Sequence, residues 1–346
     1  MLDQEFAAAR QTFDAVLERM PRDGTVGLVH DVDADGVTAG VVWQRVLERL
    51  GFRVARLSTN RERNVWTESN REKIAEVNPD FLWILDLGCR DEKVLPGVKA
   101  AFLDHHRPEG VLAEDTLITG YGWPTVPNTS WMTYELALGR ADGEDMDWIA
   151  VIGTLSDLGE KAPWPLIAEA KKKYTAKWLK EATALINAPR RSADFNPEAA
   201  ARALVQFDNP KELCNSEAPD VQTLKNARAE VKAEMTKAKQ AAPKFAGQAA
   251  LIMIDSPCQI HPLIAQIWRG RLPKYHVICA NTGYMKDRVN FSARSANGLS
   301  VLDFLKSFEL SPGEGSFGHG HDQASGGILP PARWHELLSK MGFETE

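Results

Sequence analysis

Residues 25–36 read Thr25-Val26-Gly27-Leu28-Val29-His30-Asp31-Val32-Asp33-Ala34-Asp35-Gly36. An apolar run of strand character ends in three aspartates on alternate positions. Carboxylates set so close repel one another, and burying them without compensation is costly. Something positive should sit among them, so the stretch poses a choice between a metal ion, a basic side chain and water. Directly after it, Val37–Leu50 has apolar residues at helical spacing and stops at Gly51. The opening unit is therefore a strand, an acidic turn and a helix.

The same alternation continues outward. Phe52–Leu57 alternates like a second strand, Phe81–Leu85 is a near-continuous apolar run suited to a strand buried on both faces, and Val98–Leu103 is another. Strands that alternate with helices predict a parallel α/β sheet. Its strand ends are acidic: Asp31, Asp33 and Asp35 close the first, Asp86 the third, and Asp104-His105-His106 the fourth. In a parallel sheet these ends share one edge, where such folds hold their ligands. Asp157, in Gly153-Thr154-Leu155-Ser156-Asp157, closes an apolar helix able to pack beside that edge. Several carboxylates with a histidine make a site for hard divalent ions, Mn²⁺ or Mg²⁺ rather than zinc.

The middle of the chain reads as helices over 145–158, 165–188, 197–207 and 221–241, the last long and charged. From Gly247 the pattern is strand-like again, and glycine gathers in the stretch 312–327. The expected organisation is a catalytic parallel-sheet domain over 1–190, a helical linker over 191–245 and a smaller α/β substrate-binding domain over 246–346.

With 346 residues, 44% of them hydrophobic and 25% charged, the composition is that of an ordinary globular protein. No apolar run reaches the ~18 residues of a membrane span, and the N-terminal 20 residues form a charged amphipathic pattern rather than a signal peptide. Four scattered cysteines without a CxxC pair argue against a disulfide framework or a zinc knuckle, and for the reducing cytoplasm. A net charge of −6 is unlike a protein that coats long nucleic acid by charge, so a polyanion must be bound at a local site. Arg269, Arg271, Lys274, Lys286, Arg288 and Arg294 supply a candidate basic patch, with Asp287 as the acid among them. Arg294 suits a phosphate, and Gly318, Gly320, Gly326 and Gly327 would let backbone N–H groups approach one. Asn60, Arg61 and Arg63 follow the second strand as further candidates.

Taken in order, Asp31–Gly36, Ile84–Gly88, Asp104-His105-His106 and Gly153–Asp157 resemble the four motifs of the DHH phosphoesterase superfamily, most closely its RecJ-type branch. Phe291–Ser295 and Gly320-His321-Asp322-Gln323-Ala324-Ser325-Gly326 resemble the serine–arginine segment and glycine-rich signature of the associated DHHA1 domain. The resemblance implies a two-metal site, with Asp33 and Asp86 on one ion and Asp35, Asp86, His105 and Asp157 on the other. In that scheme Asp31 completes or orients the first ion's shell, and Asp104 orients His105. His106 contacts the scissile phosphate. Ser292, Arg294, Gly318, His319, Gly320, His321 and Gly326 bind substrate.

Together these readings predict a cytoplasmic, Mn²⁺-dependent phosphodiesterase that cleaves short single-stranded oligonucleotides, or a small phosphorylated nucleotide, to nucleoside monophosphates. No membrane is expected as a partner, and a homodimer is compatible with the sequence. The length leaves no room for the oligonucleotide-binding barrel of full RecJ nucleases. Rival readings are a RecJ-like 5′–3′ exonuclease on longer single-stranded DNA, a cyclic-dinucleotide or phosphoadenosine phosphatase, and a non-catalytic RecJ-like scaffold.

Overall fold

The computed structural model describes residues 2–296, 298–313 and 315–344, without the side chains of residues 2, 3, 144 and 319–321. The chain divides into two compact units, one of residues 1–190 and 195–225, the other of residues 191–194 and 226–346.

The first unit is built on β1 (Thr25–His30), β2 (Arg53–Ser58), β3 (Phe81–Leu85), β4 (Lys99–Asp104) and β5 (Thr116–Thr119). They form one parallel sheet in the order β2-β1-β3-β4-β5. The register pairs His30 with Ser58 and Leu85, Leu85 with Leu103, and Asp104 with Thr119. Asp31, Asp86 and Asp104 therefore leave the sheet in nearly one row. β3 is apolar throughout because both faces are covered. Trp83 packs with Trp43 of α2 (Ala34–Arg49) and Phe13 of α1 (Leu2–Arg19), while Ile84 lies with Phe102 and Trp66 on the opposite face.

Behind the first strand end lies a buried polar chain. Arg56 donates to His30 Nε2 at 2.9 Å, which leaves the ring proton on Nδ1 to donate to the Asp31 carbonyl at 2.6 Å. Glu198, at the start of α8 (Pro197–Gln206), pairs with Arg56 at 3.1 Å and accepts from the Ser58 N–H. Burial, aided by Arg56, lowers the His30 pKa to about 4 and holds the ring neutral.

Local structure departs from the periodicity in a few places. The helix expected over 165–188 is two, α6 (Pro165–Tyr174) and α7 (Ala176–Ile186), broken at Thr175 with φ +66°. Residues 191–245 are largely helical, but α8 and α9 (Pro210–Asn215) pack into the first unit's core through Leu204 and Leu213. Both α4 (Thr129–Ala137) and β5 escape a pattern reading because they are short and their flanks carry proline and glycine.

The second unit holds β6 (Lys244–Ala246), β7 (Ala249–Ile254), β8 (His276–Asn281), β9 (Val289–Arg294), β10 (Ser316–His321) and β11 (Ala324–Leu329) in the order β10-β11-β9-β8-β7-β6. Only β7 and β8 pair in parallel. α11 (His261–Arg271) covers β8 and β9, and α13 (Pro331–Met341) sends Trp334 and Leu337 into the core. No helix among the described residues is long and apolar enough to cross a membrane.

Candidate metal centre

Each acid reaches the sheet edge by a different local device. Asp33 is the N-cap of α2, and its carboxylate accepts from the Asp35 and Gly36 N–H groups at 3.1 and 3.2 Å. Asp35 lies in the first turn of that helix and turns inward, where it accepts from Asn128 Nδ2 at 2.6 Å and from the Thr129 and Ser130 N–H groups at 3.0 and 2.7 Å. The start of α4 thus orients Asp35. Asp86 stands at φ +62° just past β3 and accepts from Thr129 Oγ1 at 3.0 Å. His105 places Nε2 3.3 Å from Asp86, 3.7 Å from Asp35 and 3.9 Å from Asp157.

Three sets of side chains have potential ligand atoms within 4.8 Å of one another: Asp31, Asp33 and Asp86; Asp35, His105 and Asp157; and Asp86, His105 and His106. Asp86 lies in two of them, as a bridging carboxylate must. All six sequence-predicted metal ligands are brought together.

Charge compensation is uneven across the cluster. Arg63 reaches Asp31 with two guanidinium nitrogens, Nε at 2.8 Å, and Asp33 at 2.9 Å, while Arg190 lies 3.9 Å from Asp33. Burial opposes ionisation of Asp33, but the two arginines outweigh it and hold its pKa below the usual range. Asp35 and Asp86 have no Lys or Arg ion pair among the described residues, only His105 and, for Asp86, His106. Burial and the neighbouring carboxylates Asp86 and Asp157 push the Asp35 pKa well up, and burial raises that of Asp86 to about 7. Burial alone would discharge His105, yet the acids around it, Asp86 first, raise its pKa to about 10. Fixed oxygen and nitrogen donors with too little positive charge fit hard divalent cations. The opening choice thus resolves in both ways: a basic side chain, Arg63, meets Asp31 and Asp33 from one side, and the donors that converge around Asp86 and His105 suit metal ions.

Asp104 performs a different task from the one the sequence suggests. Its Oδ1 accepts from the His106 N–H at 2.5 Å and from His106 Nδ1 at 2.8 Å, and its Oδ2 from the Gly88 N–H at 2.6 Å. It therefore orients His106 rather than His105, and the exposed His106 ring keeps Nε2 for another partner. Burial works against the His106 cation, but Asp104 dominates and raises its pKa to about 9. Of the loop candidates, Arg63 reaches the acids. Arg61 lies over the Phe195 ring at 5.0 Å, and Asn60 bonds within its loop to Ser69 and Asn70. Sequence reasoning missed Asn128, Thr129 and Arg190; Asn-Thr-Ser is a visible helix start, but nothing near it names the acids it serves.

The candidates in the second unit separate. Arg294, at the end of β9, donates to the Ala293 and Ser325 carbonyls at 3.0 and 3.1 Å, and Arg269 lies near it, bonded to Gln323. Ser292 is buried two residues along the strand. Lys286 and Arg288 belong to the turn before β9, at the opposite end of the strand from Arg294, so the expected single patch is two. Gly326 is also required by packing. A Cβ there would collide with the Phe291 carbonyl of the neighbouring strand. Gly318, at φ +68°, lies where the β10–β11 register shifts. The side chains of His319 and His321, and the surroundings of Gly320, lie outside the described residues.

The first unit thus carries an acid- and histidine-lined edge on a five-stranded parallel sheet, and the second unit a mixed sheet. Solved structures share the fold. RecJ from Thermus thermophilus in complex with Mn²⁺ is 18% identical with a TM-score of 0.71, over 96% of this chain and 54% of that one. An exonuclease RecJ bound to manganese is 19% identical with a TM-score of 0.66, over 96% and 93%. A DHH domain from a member of a family of ribosomal proteins is 16% identical with a TM-score of 0.70, over 98% and 90%. The chain thus spans about half the length of the Thermus RecJ. No protein-family model matches it, nor does any curated protein.

Proposed function

We propose that the chain is a metal-dependent phosphodiesterase that uses Mn²⁺ to release nucleoside monophosphates from short single-stranded oligonucleotides, in the reducing cytoplasm that its four buried cysteines suit. The observation that carries this reading is the convergence of Asp35, Asp86, His105 and Asp157 beside Asp31 and Asp33. Mn²⁺ in two RecJ structures of the same fold supports the choice of ion.

In this reading Asp31, Asp33 and Asp86 would hold one ion and Asp35, Asp86, His105 and Asp157 the other. When bound, such a pair lowers the pKa of water and neutralises phosphoryl oxygens. The protein's own groups do the rest. Asn128 and Thr129 fix Asp35 and Asp86 so that neither carboxylate must reorganise. Asp104 keeps a proton on His106 Nδ1, and the raised pKa leaves the ring charged at neutral pH, so Nε2–H contacts the scissile phosphate and donates its proton to the departing oxygen. Arg294 and Ser292 supply substrate affinity, Arg294 through the guanidinium nitrogens not spent on carbonyls.

With net charge −6 and its bases dispersed, the protein gains little from phosphates beyond the few it reaches. Single strands from dimers to about 30 nucleotides, assayed with Mn²⁺ at two salt concentrations, test the reading. The expected result is a kcat/KM for the shortest strands at least equal to that for the longest, with a shallow salt slope. A steep, monotonic gain with length overturns the short-substrate assignment in favour of a RecJ-like exonuclease. Inactivity on every strand overturns the nuclease reading.

A further inference from the structure

The histidine that precedes the acids, His30, has no part in the motifs or in the proposed chemistry. It is fully buried at the end of β1. Gly40 of α2 makes room for it, since a Cβ there would collide with the His30 ring. Gly36, four residues earlier on the same face of the helix, makes room for the Asp31 carbonyl in the same way. Two glycines therefore let α2 close onto an imidazole and onto the one carbonyl that this imidazole bonds.

The ring is held at both nitrogens. Arg56 donates to Nε2, so the ring proton stays on Nδ1 and goes to the Asp31 carbonyl. Arg56 is held in turn, with Nε donating to Gln44 Oε1 at 2.9 Å and Nη2 to Glu198 at 3.1 Å. On the other side of the same residue, the Asp31 N–H donates to the Leu85 carbonyl at 3.2 Å. Both backbone polar groups of Asp31 are thus pinned, and with them the direction in which the turn through Asp33 leaves the sheet. Stability alone does not call for this arrangement. Well-packed apolar side chains in place of a buried charged group and its partners are often neutral or stabilising. What the polar chain supplies, and an apolar one would not, is a donor aimed at one carbonyl.

We propose that His30 is a positioning residue for the first ion: its Nδ1–H, kept in place by Arg56 and Glu198, sets the turn that presents Asp31 and Asp33, and so sets the affinity for the ion that these acids and Asp86 would hold. The inference deepens the metal-dependent reading and rests on it for the presence of that ion.

Calorimetric titration of Mn²⁺ into the full chain, without substrate, tests it in wild type, His30→Leu, His30→Asn, Arg56→Met and Glu198→Gln, each checked for folding by circular dichroism. Leucine cannot donate, whereas the asparagine amide carries an N–H near the place of Nδ1. His30→Leu and Arg56→Met should weaken one ion about tenfold or more, as the loss of an outer partner of a metal site does, and leave the other within about threefold. His30→Asn should recover most of that loss, and Glu198→Gln should show a smaller loss in the same direction. Isotherms equal to wild type in the folded variants overturn the inference. So does equal weakening of both ions, which general loosening of the fold produces, or His30→Asn as weak as His30→Leu. Should His30→Leu not fold, Arg56→Met and Glu198→Gln decide by the same criteria. A wild type that binds no Mn²⁺ overturns the metal-dependent reading itself, whereas a wild type that binds two ions with unchanged variants overturns only the role of His30.

Discussion

Asp35 and Asp157 are far apart in the chain yet flank the same histidine, whereas Lys286, Arg288 and Arg294 are near neighbours in sequence and stand at opposite ends of β9. The contrast follows from where each group sits on its strand. In the first unit every strand runs the same way, so whatever follows a strand arrives at one edge whichever strand it is. In the second, the bases stand before and after one strand, and a strand of six residues carries its two ends about 17–20 Å apart whichever way its neighbours run. Proximity in sequence is then a poor guide to proximity in space. The acids of the first unit lie together, and the bases of the second do not.

Substitutions probe that contrast, beginning with the largest effect. Asp86→Ala removes the carboxylate shared by two ligand sets, and turnover with Mn²⁺ should fall by more than the roughly 10–100-fold that an outer partner costs. The variant should stay folded by circular dichroism and lose the Mn²⁺-dependent rise in melting temperature that binding to the native state confers. Near-wild-type turnover in the folded variant would remove the two-ion assignment.

Asn128→Ala leaves every ligand in place but frees one side of Asp35. Mn²⁺ affinity should weaken about 10–100-fold, read as a shifted metal-activation curve, and an unshifted curve would show that the start of α4 does not tune the site. Arg294→Ala should raise KM about tenfold, in line with a lost charged hydrogen bond, with a smaller loss in kcat; unchanged kinetics would sever the second unit from substrate affinity. Lys286→Ala, at the other end of the strand, should change kcat/KM by no more than about twofold, the range of an ordinary surface position. An effect equal to that of Arg294→Ala would break the contrast itself.

The same physics sets what could be read beforehand. The parallel sheet and its acidic edge were legible because hydrophobic runs mark the strands and their direction decides where the acids go. Which neighbour each acid serves was not, since that depends on side-chain geometry: Asp104 turns to His106 instead of His105. Arg90 stands four residues from Asp86, yet only the tertiary structure shows that it lies over Trp66 and pairs with Glu109. The break between α6 and α7 was hidden because Thr175 adopts a positive φ without a glycine to announce it.

The buried chain from His30 through Arg56 to Glu198 also sets a clock on synthesis. Glu198 bonds to the Ser58 amide across 140 residues of sequence. At about 5–20 residues per second, the ribosome delivers that carboxylate roughly 7–28 s after the strand it neutralises. Through that interval Arg56 and the Ser58 amide have not yet met their acid, and the backing of the strand end that presents Asp31 is incomplete. The nascent first unit acquires its finished edge only when α8 arrives, so a chain cut short before residue 198 should carry all the motif acids of this unit and still fail to hold them in register.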